Sequence, residues 1–328
     1  MVLCARVKKR NAEKAKRLLV ARELFSKDFS PASDKEHVYF PVSGKVRSNL
    51  IDSFVEKKLA RFENVRITNL PGFDIIGDIA IFEMPKDAPG SGKRRSAAER
   101  RIAEDILRQH KNIKTVAVKT GAISGVYRLR KFRVVAGRKS TVTTHREHGC
   151  AFRLDAAKAY YSPRLSFERK RIDSLVKKGE TVIVPFAGVG PFAIIIAKSH
   201  PSAKVIANEL NPSAFRYLKE NVRLNRTFNV VAEPGDARKL LEKYEGTADR
   251  VLMPLPMSSD KFLDLAFSLC KPGGVVHTYW FTDSTSSGER MIMGGAREAG
   301  RRVKILGSRP VREYSPQTIE VVIDFKVL

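Results

Sequence analysis

Thr181-Val-Ile-Val-Pro-Phe-Ala-Gly-Val-Gly-Pro-Phe-Ala-Ile-Ile-Ile-Ala197 decides the fold. The apolar run Val182 to Val184 reads as a buried strand, Phe186-Ala-Gly-Val-Gly190 as a tight loop, and the residues from Pro191 as a helix. Pro191 suits a first helical position, where its missing N–H would have no partner. The turn leaves backbone N–H groups free at a helix N-terminus, beside glycines that permit close approach, which suits the carboxylate and ribose of a nucleoside cofactor. The next strand, Val205-Ile-Ala-Asn-Glu209, ends on an acid. Glu209 stands about 20 residues beyond the glycines, the offset at which an acid can bind ribose hydroxyls.

Outward from this stretch, helix and strand patterns alternate. Helix Pro191–Ser199 is followed by strand Lys204–Glu209, helix Ser213–Asn225, strand Val230–Glu233, strand Asp249 to Pro256, helix Asp260–Cys270 and strand Gly274–Phe281. Helix Ser287–Gly300 and strands Lys304–Leu306 and Ile319–Phe325 complete the chain. Lys271-Pro-Gly-Gly274 is a helix stop. The alternation predicts a mostly parallel sheet with helices on both faces. Ligands of such sheets bind beyond the carboxyl ends of the strands. There the glycine loop, Glu209-Leu-Asn-Pro212, Gly235-Asp-Ala237 and Pro254-Leu-Pro256 converge. Asp236 can hold an adenine amino group or cap the segment Arg238–Tyr244. The loop has Ala193 where a GxGxxG fingerprint needs its third glycine, so the set fits S-adenosylmethionine better than a dinucleotide.

The whole chain has 328 residues, enough for two or three domains, and 61 Lys+Arg against 35 Asp+Glu give it a net charge of +26. The excess is spread along the chain, as in proteins that meet nucleic acid. No apolar run is long enough to span a membrane, and the early charges argue against a secretory leader. Cys4, Cys150 and Cys270 stand far apart with no CxxC pair, which points to a reducing cytoplasm and no metal site. Cys270 reads as core.

Residues 1–66 read as a small α/β unit, with strand Val2 to Val7, helix Asn11 to Phe25 and strand His37–Val42. It carries no catalytic constellation and suits a structural or RNA-docking role. A second unit, 67–149, holds the strand-like Phe73 to Phe82, a loop Pro85 to Gly92, helix Ser96–His110, and strands Thr115–Val118 and Tyr127–Val135. Gly90-Ser-Gly-Lys93 lacks the first glycine and the Ser/Thr of a phosphate-binding loop and is rejected. Arg128, Arg130, Lys131 and Arg133 read mainly as a solvated strand face. The third unit is 150–328.

Tyr160-Tyr-Ser-Pro-Arg-Leu-Ser-Phe-Glu-Arg169, Phe186 to Phe192, Glu209 to Pro212 and Gly121 to Arg130 together resemble the archaeal–eukaryotic tRNA (guanine-37 N1)-methyltransferases. The wybutosine-pathway enzymes, including the aminocarboxypropyl transferase, share much of the pattern. The likeness runs along nearly the whole chain and is strongest from Phe73 to Pro256. It implies a class I, Rossmann-like methyltransferase domain preceded by a tRNA-binding middle domain and a small N-terminal domain. The implied partner is tRNA, held by its anticodon loop and its elbow, and the chain is expected to act as a cytoplasmic monomer.

The resemblance implies Glu168 as general base and Arg128 as its cationic partner, with Tyr160, Arg164, Pro254 and Pro256 at the acceptor. It agrees with a cofactor set of Phe186, Gly188, Gly190, Glu209, Asn211 and Asp236. Removing the N1 proton of guanine builds negative charge toward O6, so a carboxylate and a guanidinium are the fitting pair. Read without the family, Glu168 is a surface ion pair with Arg164 or Arg171 at helical spacing. Two departures stand out. Pro254-Leu-Pro256 replaces an Asn-Leu-Pro of the family, and Pro185 stands where many first strands end in an acid. The first moves weight toward the aminocarboxypropyl transferases. C7 methylation of the wybutosine precursor, or tRNA binding without catalysis, are further alternatives.

Overall fold

The computed structural model describes residues 1–26, 29–59, 70–84, 92–315 and 317–328. The expected division between residues 66 and 67, and the loop from Pro85 with the start of the rejected phosphate-loop pattern, lie outside them. The chain divides into compact units Met1–Leu70 and Pro71–Leu328.

In the first unit, β1 (Val2–Lys8), α1 (Ala12–Ala21), β2 (Ala32–Ser33), β3 (His37–Pro41) and β4 (Ser53–Lys57) form an antiparallel sheet of order β2-β3-β1-β4 with one helix. Ala15 and Leu19 of α1 pack on Ala5, Val7 and Phe40. The short β2 and β4 carry too little apolar pattern to be foreseen.

The second unit opens with β5 (Phe73–Ile76), β6 (Ile79–Phe82), α2 (Gly92–Gln109), β7 (Thr115–Lys119) and β8 (Phe132–Gly137), in sheet order β5-β6-β7-β8. Phe73 to Phe82, expected as one interrupted strand, is an antiparallel hairpin turning at Gly77-Asp78. Gly77 has φ 57°, and a Cβ there would lie 2.2 Å from Thr143 Oγ1, so only glycine fits the corner. The strand expected from Tyr127 begins only at Phe132, because Gly125 and Arg128 take φ 76° and 54° and close a turn. The cations expected on a solvated face divide: Lys131 is exposed, whereas half-buried Arg130 pairs with buried Asp74 at 2.6 Å and Arg133 pairs with buried Glu99 at 2.5 Å.

A hairpin of β9 (Val142–Glu147) and β10 (Cys150–Asp155), unforeseen in the sequence, spans the expected division at residue 149. Then follow α3 (Ser166–Leu175), β11 (Thr181–Val184), α4 (Pro191–Ser199), β12 (Lys204–Glu209), α5 (Pro212–Asn225), β13 (Val230–Pro234), α6 (Ala237–Leu241), β14 (Ala248–Met253), α7 (Leu263–Leu269), β15 (Cys270–Thr282), α8 (Thr285–Glu298), β16 (Val303–Ser315) and β17 (Thr318–Val327). The seven strands from β11 onward form one sheet of order β13-β12-β11-β14-β15-β17-β16, in which β17 alone is reversed and pairs antiparallel with both β15 and β16.

Successive residues of the central strands enter opposite cores. Val182 and Val184 face α3, α4 and α5, with Ile172, Phe192, Ile194 and Leu218; Ile183 faces α7 and α8, with Leu263, Phe267 and Ile292. A strand buried on both faces must be apolar throughout, which is why β11 is legible as a continuous run. Complete burial of each isoleucine in Ile194-Ile-Ile196 contributes roughly 2 kcal/mol relative to exposure.

Candidate active site

Beyond the carboxyl ends of β11, β12 and β14 lies a cavity of about 340 Å³ within the second unit. Its lining falls into two halves. On the first, Phe186 takes φ 62° and stacks edge-on against Phe262 at 4.8 Å. Gly188 donates its N–H to Glu209 Oε2 at 2.7 Å, and Asn211 donates its N–H to Glu209 Oε1 at 2.7 Å. One carboxylate thus ties the glycine loop to the end of the neighbouring strand. Burial pushes the Glu209 carboxyl above its ordinary value, against the pull of those N–H groups. Asn211 caps α5 by accepting from Ser213 N, and its amide donates to Lys158 O at 2.7 Å.

Phe186, Gly188, Glu209 and Asn211 line the cavity. The other residues of the expected cofactor set sit differently. Gly190 caps α4 with φ 91°, and a Cβ there would meet Leu218 Cδ1 at 2.5 Å; packing accounts for it. Asp236 is exposed, outside the lining, and caps α6 by accepting from Arg238 N at 3.0 Å. Pro185 is buried behind the loop. The cavity fits a nucleoside cofactor in volume. The open α4 N-terminus and the second lone pairs of the Glu209 oxygens supply donors and acceptors.

The second half is a wall of aromatic and ionic groups. Arg128, in the turn Gly125–Arg128, reaches over the mouth and donates to Met257 Sδ at 2.8 Å and Ser258 Oγ at 2.6 Å. Pro254, Pro256, Tyr160, Tyr279, Phe281, Arg312, Tyr314 and Glu320 complete this half. Arg164 lies outside the lining, donating to Asp74 Oδ1 at 2.6 Å beside Arg130. Burial alone would raise the Asp74 carboxyl; the two guanidinia bring it below its ordinary value.

Glu168 is neither a surface pair nor part of the lining. It is 1% exposed, one layer behind Tyr279, whose hydroxyl donates to Oε1 at 2.8 Å. Arg171 donates to the same carboxylate at 2.7 Å, and Arg309 to its other oxygen. A surface pair was expected from helical spacing alone, but two strands, β15 and β16, cover this face of α3.

From Glu168 a buried chain of charge runs across the sheet. Arg171 donates to Asp324 Oδ2 at 2.6 Å, Asp324 Oδ1 meets His277 Nδ1 at 2.6 Å, and His277 Nε2 meets Arg250 at 2.6 Å. Arg250 ends on Glu180 at 2.8 Å. A guanidinium only donates, so His277 Nε2 must accept and its proton sits on Nδ1. Burial lowers the His277 pKa and keeps the ring neutral. Burial would raise Asp324, but His277 and Arg171 hold it well below the usual carboxylate range.

The sequence reading missed Tyr279, Arg312 and Glu320. The signal for Glu320 was present: one carboxylate interrupts the apolar run Ile319 to Ile323. Among the described residues no group of His, Cys, Asp and Glu can hold a metal, and no helix is long and apolar enough to cross a membrane.

Family models match along the chain: the tRNA methyltransferase 5 N-terminal domain over 4–51, the TYW2 N-terminal domain over 60–141, and the TRM5/TYW2 methyltransferase domain over 143–303. A Pyrococcus abyssi protein named tRNA (guanine(37)-N(1))-methyltransferase Trm5b is 36% identical, covering 100% of this chain and 99% of its own. A Methanocaldococcus jannaschii tRNA(Phe) (4-demethylwyosine(37)-C(7)) aminocarboxypropyltransferase is 33% identical over 70% of this chain and 93% of its own. The crystal structure of the Pyrococcus abyssi Trm5b superposes with a TM-score of 0.75 at 35% identity, over 100% of this chain and 99% of that one. With a class I methyltransferase sheet and a relative matching end to end, the chain belongs to the TRM5/TYW2 methyltransferase family.

Proposed function

We propose that this protein transfers a methyl group from S-adenosylmethionine to N1 of guanine 37 of tRNA, next to the anticodon. One observation carries the reading: Arg128 and the glycine loop line the same cavity, so a cation for the acceptor stands opposite the cofactor half. Phe186, Gly188, Glu209 and Asn211 would hold the cofactor, Gly190 would shape its loop, and Asp236 would close the adenine end with its second carboxylate oxygen. When bound, S-adenosylmethionine supplies an electrophilic methyl group; the protein's task is to align guanine and remove its N1 proton.

Guanine 37 must leave the anticodon-loop stack to reach the cavity. Arg128 would stabilise the charge that grows on O6, and Tyr160, Pro254 and Pro256 would flank the base. Arg164 would act through Asp74 and the wall beneath Tyr160. Burial raises the Tyr279 pKa, so its phenol is neutral and both donates and accepts. As the N1–H bond breaks and N1 takes the methyl group, the N1 proton passes to the Tyr279 oxygen. The phenol proton passes on to Glu168. Glu168 thus keeps the role of final proton acceptor without lining the cavity.

Support for tRNA comes from the net charge of +26 and from a related enzyme solved as "The complex structure of aTrm5 and tRNALeu", with a TM-score of 0.73 and 26% identity. We assign cofactor binding to 150–328 and tRNA binding to 67–149, which also supplies Arg128 to the acceptor half, with a docking role for 1–66 and contact with the tRNA elbow, in a monomer. Three free cysteines fit the cytoplasm. A second reading, aminocarboxypropyl transfer to a wybutosine precursor, is favoured by Pro254, which lines the cavity without a side-chain hydrogen bond to offer.

The test is mass spectrometry of nucleosides from tRNA incubated with protein and S-adenosylmethionine. One methyl group on G37, and none on an A37 transcript, is expected. An aminocarboxypropyl mass on the precursor would establish the second reading, and a methyl at C7 the related one. Salt-dependent tRNA binding with no product would mark a protein without catalysis.

A further inference from the structure

The turn that carries Arg128 has an unusual apex. Ser124 and Leu129 pair across its base, Leu129 donating its N–H to Ser124 O at 3.1 Å and Ser124 donating its N–H to Leu129 O at 3.2 Å. Arg128 N donates to Gly125 O at 3.1 Å, and the Arg128 side chain is tied to Ser258 and Met257. The apex between these ties is Val126-Tyr127. Exposed turns favour Gly, Pro, Asn, Asp and Ser, yet here Val126 is 78% exposed and Tyr127 44%. Both also line the cavity.

The tip is not alone. Met257 and Tyr314, likewise exposed, belong to the same lining, so apolar surface borders the mouth. Single exposed apolar side chains need no explanation, but a group of them around a cavity marks a binding surface. Its surroundings are cationic: Lys131, two residues beyond Leu129, and Lys261, in the lining, are both exposed. Aromatic and aliphatic faces set between cations suit single-stranded RNA, whose bases stack on side chains while its phosphates meet the charges.

We propose that Val126 and Tyr127 form a wedge that takes the place of guanine 37 in the anticodon-loop stack. This rests on the methyl-transfer reading above, in which that base leaves the stack for the cavity. Its departure strips bases 36 and 38 of one stacking face each. An apolar side chain inserted between them covers those faces and holds the gap open. The backbone ties fix the tip in place, and Tyr127 immediately precedes Arg128 in the chain. One turn would thus both open the stack and meet O6 of the base that comes out. Stacking of this kind tolerates any base, so the wedge promotes flipping without reading sequence.

The experiment measures single-turnover methylation, with protein below saturation, of two tRNAs that both carry guanosine at position 37. One is ordinary; the other has abasic nucleotides at 36 and 38, which leave a wedge nothing to stack on. The double variant Val126→Ser, Tyr127→Ser is expected to slow the ordinary tRNA by about 20-fold, within the range for one stacked base, and the abasic one by less than about threefold. Tyr127→Phe keeps the ring and should stay within about twofold of wild type on both. S-adenosylmethionine affinity should be unchanged, which also shows that the double variant is folded. An equal loss on the two tRNAs would overturn the proposal, because the tip would then act through something other than the neighbouring bases. So would an undiminished rate of the double variant on the ordinary tRNA, or a loss in Tyr127→Phe as large as in the double variant. Wild-type inactivity on the ordinary tRNA would instead overturn the reading beneath it.

Discussion

The two halves of the cavity are built by different physics. The cofactor half is mainly local: Phe186, Gly188, Glu209 and Asn211 come from one turn and the end of the next strand, and Glu209 is held by backbone N–H groups. The acceptor half is assembled from groups far apart in the chain, with Arg128 on Ser258 and Tyr279 on Glu168. Backbone geometry tolerates little side-chain change but is insensitive to charge. An ion-pair wall is the reverse. The cofactor half should therefore break through stability, and the acceptor half through rate.

The largest effect is expected at Glu168. Glu168→Gln removes the final proton acceptor and should slow single-turnover methyl transfer by about 1000-fold, within the range for general acid–base groups, while tRNA affinity stays within twofold. The substitution also leaves Arg171 and Arg309 without their carboxylate, so a second variant separates relay from charge balance. Tyr279→Phe keeps both ion pairs, removes the hydroxyl, and should slow transfer by about 100-fold. Full activity in Tyr279→Phe would exclude the relay.

Gly190→Ala tests the cofactor half. The added Cβ meets Leu218 and must adopt φ 91°. Left-handed backbone costs about 1–2 kcal/mol and overpacking about 1–3 kcal/mol, so a loss of roughly 2–5 kcal/mol is expected in urea unfolding. Methyl-transfer rate at saturating cofactor should change little in the folded fraction. A rate loss without a stability loss would mean that Gly190 touches ligand.

The same division explains what was legible in the sequence. Residues 181–225 gave their elements within a residue or two, because a doubly buried strand, a Pro at N1 and a cap at Asn211 are each local signals. α3 was missed because it is short and half covered, its Glu168, Arg169 and Asp173 buried only through ion pairs. In the β9–β10 hairpin, β9 is polar from Thr143 to Glu147 with no apolar alternation, and β10 gains its partners from α5: Asn221 and Asn225 bond the backbone of Arg153 and Ala151. Arg128 was foreseen only through family resemblance. Its left-handed turn has a glycine at one corner, yet nothing local says that Ser258 waits 130 positions away.

A smaller effect comes from pH, through the ionic chain behind the acceptor half. The folded pKa of His277 lies below its ordinary value of about 6.5. The unfolded chain thus takes up the proton first. Stability from neutral His277 is complete above about pH 6.5 and is lost progressively as pH falls toward the depressed folded value. Asp324, also depressed, loses its contribution only below about pH 4. His277→Gln keeps a donor for Asp324 and an acceptor for Arg250 but cannot titrate. Between pH 7.5 and 5.5 the wild type should lose about 1 kcal/mol more than the variant. Equal losses by chemical denaturation would mean that the ring is already charged in the fold.

The smallest effect lies at the edge of the cofactor half, at Asp236. Its Oδ1 accepts from Arg238 N, a bond that Asn would make equally well. Its second oxygen is the only part that a cofactor could use. Asp236→Asn therefore separates the two roles, because the cap survives while the second acceptor becomes a donor facing the adenine amino group. If Asp236 closes the adenine end, the Kd for S-adenosylmethionine should rise about three- to tenfold with the melting temperature unchanged. Unchanged affinity and unchanged melting would make Asp236 a cap alone. The adenine end would then rest on backbone groups, as the glycine loop does.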